Sequence, residues 1–165
     1  YARVHAAEYG IDSERLKKCD LHIHAPEGAV PKDGPSAGVT LTTALISCLS
    51  GIPVRGDVAM TGEITLHGNV LPIGGLREKS MAAYREGMKT VLIPKDNLSD
   101  LYEVDDEVKK NIEFLPMQSL SQVLAAALLK PRTVSAGHPR TRKAKPAEAA
   151  ALPQPAEKPQ PGAVC

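Results

Sequence analysis

The spacing of apolar residues in the first third of the chain predicts a helix end, a strand and a second helix. Residues 1–11 have the spacing of an amphipathic helix, which Gly10 closes. Residues 20–25 alternate polar and apolar side chains, the pattern of a half-buried strand. The apolar positions of residues 36–50 form a wide helical stripe, and Gly51 stops it. This helix is predicted to be largely buried.

The middle of the chain predicts a hairpin followed by a helix. Short apolar runs indicate strands at residues 57–60, 63–66 and 70–73. The last two flank His67-Gly68-Asn69, a turn in which a positive φ is expected. Gly74-Gly75 then leads into a helix over residues 76–86, which ends at Gly87.

Strands and helices alternate from residue 87 onward. Strands are predicted at 89–94 and 112–115, with Asn97 capping a short helix between them. Ser119 opens a last helix that runs to Leu129. Such alternation is typical of βαβ units, in which helices connect parallel strands.

The composition changes after Lys130. Half of the 14 prolines lie in residues 131–165, together with Ala, Lys and Gln. Such a segment cannot bury enough apolar area to offset the entropy lost on ordering, so it is predicted to be disordered. The chain is therefore divided into a folded domain over residues 1–130 and a C-terminal tail over residues 131–165.

Charge and composition argue against nucleic-acid binding by the folded domain. The chain has 20 Lys and Arg and 19 Asp and Glu. Six of those basic and two of those acidic residues lie in the tail, which leaves residues 1–130 with a net charge of −3. The chain also has no Trp and one Phe, so stacking on bases is not expected. The basic tail is better explained as a solvated linker.

Cysteine content and hydropathy favour a cytoplasmic protein. Cys19, Cys48 and Cys165 are too few and too scattered for a disulfide framework or a zinc cage. No apolar run reaches the roughly 18 residues of a membrane span, and no signal-peptide pattern opens the chain. The sequence begins with Tyr1 inside an apparent helix, so we expect it to be part of a longer protein.

Candidate chemistry begins at Ser36, within Pro31-Lys32-Asp33-Gly34-Pro35-Ser36-Ala37-Gly38. Backbone N–H groups at a helix start have no partner within the helix, and the helix dipole favours negative charge there. N–H groups around Gly34 to Ser36 would therefore suit an oxyanion. A serine still needs a base to become a nucleophile. Taken alone, such a loop is more often only a helix cap.

The candidate base is Lys79. Helical spacing places Leu76, Lys79 and Ala83 on one face, and a lysine on an apolar face is unusual. Burial and the positive end of its own helix would favour the uncharged amine, which could accept the Ser36 proton. Arg77 could not do so, because a guanidinium does not deprotonate in proteins. The alternative is a lysine that extends its amine to water.

Thr61 is the candidate to orient that base. It lies in the corner Thr61-Gly62-Glu63 before the predicted hairpin. Its hydroxyl is expected to hydrogen-bond the Lys79 amine, as the third member of a catalytic triad orients the base. Glu63 is expected to accept a structural hydrogen bond, and His67 is expected to be a turn residue.

Several runs of residues resemble the proteolytic domain of Lon, the ATP-dependent protease. They occur in order over about residues 1–129, as Pro31–Gly38, Met60–Leu66, Val70–Lys79 and Val91–Pro94. Runs of six or more residues make the resemblance specific. At the position of Arg77 the family more often has Lys, a surface difference that leaves Ser36 and Lys79 in place.

The resemblance implies a serine endopeptidase in which Ser36 is the nucleophile and Lys79 its partner in a Ser-Lys dyad. It implies an α+β fold of mixed sheets with helices, like domain 2 of ribosomal protein S5, with N-terminal strands missing from this sequence. It also implies a homo-hexameric ring under an AAA+ motor that supplies unfolded protein substrates. No G-x-x-x-x-G-K-[ST] occurs here, so ATP and Mg are expected only in that motor.

Asp33 and His24 are weaker candidates for supporting roles. Asp33 would form an acid pair or block the inactive site, but a loop aspartate that bonds nearby backbone is equally expected. His22 and His24 share one strand face and lead into the serine loop, so His24 is a candidate to line the site. No further ligands lie at a suitable spacing, so a zinc site is not expected.

Two other functions compete with catalysis of this kind. One is a non-catalytic scaffold of the same fold that only forms the ring. The other is a small-molecule phosphotransferase whose Gly-rich loop binds phosphate. The latter is weak because the sequence shows no acid pair near that loop to bind Mg²⁺.

Overall fold

The computed structural model describes residues 1–24 and 34–129. Asp33, the residues just before it and the predicted tail lie outside the described residues. Within the described part, helices pack on a parallel sheet and on a separate hairpin. This agrees with the predicted mixture of helices and sheets.

The N-terminal segment differs most from the prediction. A 3-10 helix over Ala6–Tyr9 is closed by Gly10 in the left-handed conformation, as expected. The helix α1, Ser13–Lys18, follows, and the Asp12 side chain caps it by accepting from the Glu14 N–H. The predicted strand is wrong for residues 20–24, because this stretch pairs with no strand in the described part of the chain.

The helix after the serine loop was predicted nearly correctly. It is α2, Gly38–Ser50, and Gly51 ends it with a φ of 73°. Val39, Thr43 and Ile46 form its buried face. The Thr43 hydroxyl donates to the Val39 carbonyl at 2.7 Å, so this buried polar group keeps a hydrogen-bond partner.

The strands form a parallel sheet and a small hairpin. The sheet has three parallel strands in the order β1-β4-β5. Their ranges are Val58–Met60 for β1, Thr90–Pro94 for β4 and Glu113–Met117 for β5. The antiparallel hairpin pairs β2, Glu63–Ile64, with β3, Val70–Leu71. Gly68, with a φ of 84°, makes its turn as predicted.

The connections between these strands are helical. The predicted helix over 76–86 is α3, Leu76–Arg85. A 3-10 helix over Lys95–Glu103 and α4, Asp106–Asn111, connect β4 to β5, and α4 was not predicted. The last helix, α5, Leu120–Ala127, begins at Ser119, whose side chain caps it as predicted.

The core consists of two hydrophobic clusters on the two faces of the parallel sheet. One contains Leu92 of β4 with buried residues of α2 and α5. The other contains Val91 and Ile93 of β4 with buried residues of α3 and α4. Successive side chains of a strand point to opposite faces, so β4, buried on both faces, separates the two clusters.

No helix among residues 1–24 and 34–129 is long and apolar enough to cross a lipid bilayer.

Candidate active site

The backbone of Ser36 is tied to the corner that follows β1. Its carbonyl accepts the Gly62 N–H at 2.9 Å and the Thr61 hydroxyl at 3.4 Å. The Val39 N–H donates in return to the Gly62 carbonyl at 3.1 Å. These bonds fix the start of α2 against residues 61–62, and Ser36 lies half-buried two residues before the helix.

The Thr61 hydroxyl has a different partner from the predicted one. Thr61 is buried, with 8% of its surface exposed, and its N–H donates to the Leu92 carbonyl at 3.1 Å. Its hydroxyl donates to the Ser36 carbonyl instead of bonding the Lys79 amine. In this arrangement Thr61 ties the Ser36 backbone to β4 and makes no hydrogen bond to Lys79.

Lys79 is exposed, so the predicted burial of its side chain is wrong. The buried residues of α3 are Leu76, Ser80 and Ala83. Residues at i+3 and at i+4 both lie beside residue i on a helix, so the buried face that includes Leu76 could contain either Lys79 or Ser80. Because Ser80 is polar, the sequence did not indicate that Ser80 is the buried one. Lys79 therefore lies beside the buried stripe of α3, where its side chain reaches the surface.

The Lys79 amine bonds to the backbone at the start of its own helix. Its Nζ donates to the Gly74 carbonyl at 3.0 Å. Gly75, the residue before α3, has a φ of 68°, a conformation that favours glycine. The amine is thereby held over residues 74–75.

Ser36 and Lys79 lie together on the walls of two adjoining cavities. The first, the Met60 cavity, has a volume of about 250 Å³, and its lining is mostly apolar, with Ala59, Met60, Ala83 and Val91 beside Ser36, Thr61 and Lys79. The second, the Glu63 cavity, has about 360 Å³ and is lined by Ser36, Lys79, Glu63, Pro72, Ile73, Gly74, Gly34 and Pro35. Ser36, two residues before α2, and Lys79, on α3, therefore both line one cleft.

Of the remaining candidate residues, some line these cavities and others do not. Gly34, with a φ of 88°, and Glu63 line the Glu63 cavity. His24 is exposed and lines neither cavity, and His67 lies exposed in the hairpin turn. Asp33 lies outside the described residues. Within those described residues, no group of three or more His, Cys, Asp or Glu side chains is arranged to hold a metal ion.

The predicted role of Asn97 as a helix cap is wrong. It lies inside the 3-10 helix and is 2% exposed, so it does not cap that helix. Its side chain bonds both backbone groups of Ile73, a residue of the Glu63 cavity. The local sequence gave no signal for this contact, because it joins residues 24 positions apart.

Comparison with known proteins identifies the family to which the chain is similar. The family model described as the Lon protease (S16) C-terminal proteolytic domain matches residues 1–130. Lon protease of Brevibacillus choshinensis is 55% identical over 130 residues, which cover 79% of this chain and 17% of that protein. Lon protease of Haemophilus influenzae is 57% identical over 129 residues, or 78% of this chain and 16% of that protein.

The match covers only a small part of each relative's length. Lon protease of Chloroflexus aggregans is 56% identical over 128 residues, again 78% of this chain and 16% of the relative. The chain therefore spans about a sixth of the length of the curated relatives that it matches.

Proposed function

Since the chain belongs to the family of Lon protease C-terminal proteolytic domains, we propose that it is a serine peptidase in which Ser36 and Lys79 form the catalytic dyad. The family is one of peptidases, and relatives at 55–57% identity carry the name Lon protease. The observation that supports the dyad is the pair of cavities whose walls include both residues.

In the first half of the proposed reaction the peptide bond is broken. The Ser36 Oγ attacks the carbonyl carbon of a substrate peptide, and its proton passes to the uncharged Lys79 Nζ. The substrate oxygen gains the negative charge, and N–H groups of Gly34 and Ser36 are the proposed donors to it, since Pro35 has none. The ammonium then protonates the leaving amine, and an ester on Ser36 remains.

In the second half the ester is hydrolysed. A water molecule gives its proton to the Lys79 amine and attacks the ester carbonyl, and the ammonium returns that proton to Ser36 as the acid product leaves. The exposed amine is proposed to work once a bound peptide covers the cleft. Excluding water strengthens interactions within a site and removes the solvent that favours the charged amine.

The wider setting is also part of the proposal. We infer an α+β fold of the type described for the family's proteolytic domain, and a homo-hexameric ring joined to an AAA+ motor in the longer protein. ATP and Mg would bind in that motor, and unfolded proteins would be the substrates. The cytoplasm is the proposed location.

The test is substitution in the full-length protein, with any domains beyond these 165 residues included. Degradation of a fluorescently labelled unfolded polypeptide should fall below detection in Ser36→Ala. It should fall about 10²- to 10⁴-fold in Lys79→Arg, which keeps the charge but cannot act as a base. The exposed Lys110 on α4 supplies a control, because Lys110→Arg makes the same exchange away from both cavities.

Assembly should be measured on the same variants by sedimentation. Unchanged assembly with lost cleavage supports the dyad. Undiminished cleavage in Ser36→Ala would contradict the dyad.

A further inference from the structure

The Asn97 side chain makes the two hydrogen bonds to the Ile73 backbone that a neighbouring strand would otherwise make. Its Oδ1 accepts the Ile73 N–H at 2.9 Å, and its Nδ2 donates to the Ile73 carbonyl at 2.8 Å. Strand β3 ends at Leu71, so residues 72–75 continue beyond the hairpin's ladder. A primary amide that bonds both backbone groups of one residue fixes its position and its orientation.

A second side chain fixes which way this amide points. The Asp100 Oδ2 accepts from the Asn97 Nδ2 at 2.6 Å. An ionised carboxylate only accepts hydrogen bonds, so the Asn97 amide must present its nitrogen to Asp100 and its oxygen to the Ile73 N–H. With 2% of Asn97 exposed, these bonds satisfy a buried polar group that would otherwise be costly.

The residue held in this way precedes the acceptor of the candidate base. Ile73 and Gly74 are consecutive, and both line the Glu63 cavity with Ser36 and Lys79. The Gly74 carbonyl accepts from the Lys79 Nζ at 3.0 Å. Two peptide planes therefore connect the buried Asn97 amide to the Lys79 amine, and moving Ile73 moves the carbonyl that holds that amine.

We propose that Asn97 is a positioning residue for the peptidase reaction, which acts by fixing the Ile73-Gly74 backbone that holds Lys79. The inference rests on the proposed function. Asn97 touches no reacting atom, and its effect passes through the backbone. Its role is to keep the Lys79 amine at one place on the cleft wall while substrates exchange.

The central experiment compares Asn97→Ala with Val108→Ala in the full-length protein. Val108 is 1% exposed in the cluster against which Ile73 also packs, so its truncation lowers stability but removes neither of the Asn97 hydrogen bonds to Ile73. Thermal unfolding should show a lower Tm in both variants. With a fluorogenic peptide well below the Tm, kcat should fall about 10- to 100-fold only in Asn97→Ala, with KM changed much less.

An exchange of the two side chains separates positioning from packing. Asn97→Asp removes the donor to the Ile73 carbonyl and places two carboxylates side by side. Adding Asp100→Asn restores an Asn–Asp pair and should restore most of the Tm, but Ile73 still lacks its donor, so kcat should stay low. Recovery of kcat together with the Tm would overturn the proposal, as would an unchanged kcat in Asn97→Ala.

A spectroscopic readout keeps this inference distinct from the dyad itself. In a Ser36→Ala background, the ¹³Cε resonance of Lys79 is identified by its loss in Lys79→Arg. That resonance should shift in Asn97→Ala and stay in place in Val108→Ala. An unmoved resonance in Asn97→Ala would refute the positioning role even if the dyad holds, whereas cleavage surviving in Ser36→Ala would refute the dyad alone.

Discussion

Gly38 and Ile64 approach each other so closely that a side chain at position 38 would crowd Ile64. A Cβ on Gly38 would lie 3.1 Å from the Ile64 backbone nitrogen and 3.2 Å from its Cγ1. The first residue of α2 therefore lies directly against β2, and Ser36 is two residues before this contact. A glycine at position 38 therefore lets the helix that follows Ser36 begin close against the hairpin.

Gly38→Ala should consequently displace the start of α2. We expect a loss of about 1–3 kcal/mol in the free energy of unfolding, typical of overpacking, and a lower kcat. Gly56→Ala is the control, because a Cβ at Gly56 meets nothing within 4 Å and its φ is not positive. Chemical denaturation and peptide cleavage test both variants, and equal behaviour of the two would contradict the close contact.

The two glycines that flank α3 allow the same conformation to be compared near the cleft and away from it. Gly75 has a φ of 68° and Gly87 a φ of 73°. Alanine at either position should cost about 1–2 kcal/mol of stability, because both are left-handed. Only Gly75→Ala should lower kcat, since the strain there falls next to Gly74, whose carbonyl accepts from the Lys79 Nζ at 3.0 Å.

Asparagine at the same positions provides the rescue, because it tolerates the left-handed region better than alanine. Gly75→Asn should therefore recover stability relative to Gly75→Ala. A kcat that falls equally in Gly75→Ala and Gly87→Ala would show that general destabilisation, and not the turn at Gly75, reduces activity.

Ser80→Ala should stabilise the protein. Among the described residues, the Ser80 hydroxyl is the buried side-chain polar atom that has no hydrogen-bond partner. Removing it avoids a desolvation cost of about 1–3 kcal/mol, and alanine also favours the helix. Ser47→Ala is the opposite control, because the Ser47 Oγ donates to the Ile52 carbonyl at 2.6 Å. Denaturant titrations should move the two midpoints in opposite directions.

The ion pair of Arg55 with Asp57 predicts a dependence of stability on acid. Two hydrogen bonds, from Nε at 3.0 Å and from Nη2 at 2.8 Å, hold the pKa of the Asp57 carboxyl below its usual range. Such a depressed pKa stabilises the fold above the unfolded value of about 3.9, and the stabilisation is lost as pH falls through the folded value.

Asp57→Asn should accordingly reduce the slope of unfolding free energy against pH below about pH 4. Arg55→Gln should reduce it similarly, because it removes the donor and leaves the carboxyl. Denaturation curves at a series of acid pH values test this. Slopes equal to that of the unsubstituted protein would assign the acid sensitivity to other carboxyls.

The sequence predicted the elements whose signals are local. Gly51, Gly68 and Gly87 marked the ends and turns correctly because their left-handed conformations are properties of one residue. Ser119 capped its helix as predicted for the same reason. The alternation of strands and helices after residue 87 correctly indicated the parallel strands β4 and β5.

The features that depend on long-range contacts were not predictable in this way. Asn97 has the composition of a cap, but its partner Ile73 is 24 residues away. The alternating residues 20–24 lack a strand partner in the described chain, and Leu21 and Ile23 stay about half exposed. Whether Lys79 faces the core or the surface depends on whether Ser80 is buried. Ser80 is buried, although its polarity alone predicts the opposite.

The two hydrophobic clusters bear on how the cleft responds to deformation. The helix after Ser36 is anchored through Val39 and Ile46 in one cluster, and the helix of Lys79 through Leu76 and Ala83 in the other. The hydroxyl and the amine thus belong to separate packing layers that share β4. A shear of one layer past the other would therefore alter the gap between the two side chains while each layer stays intact.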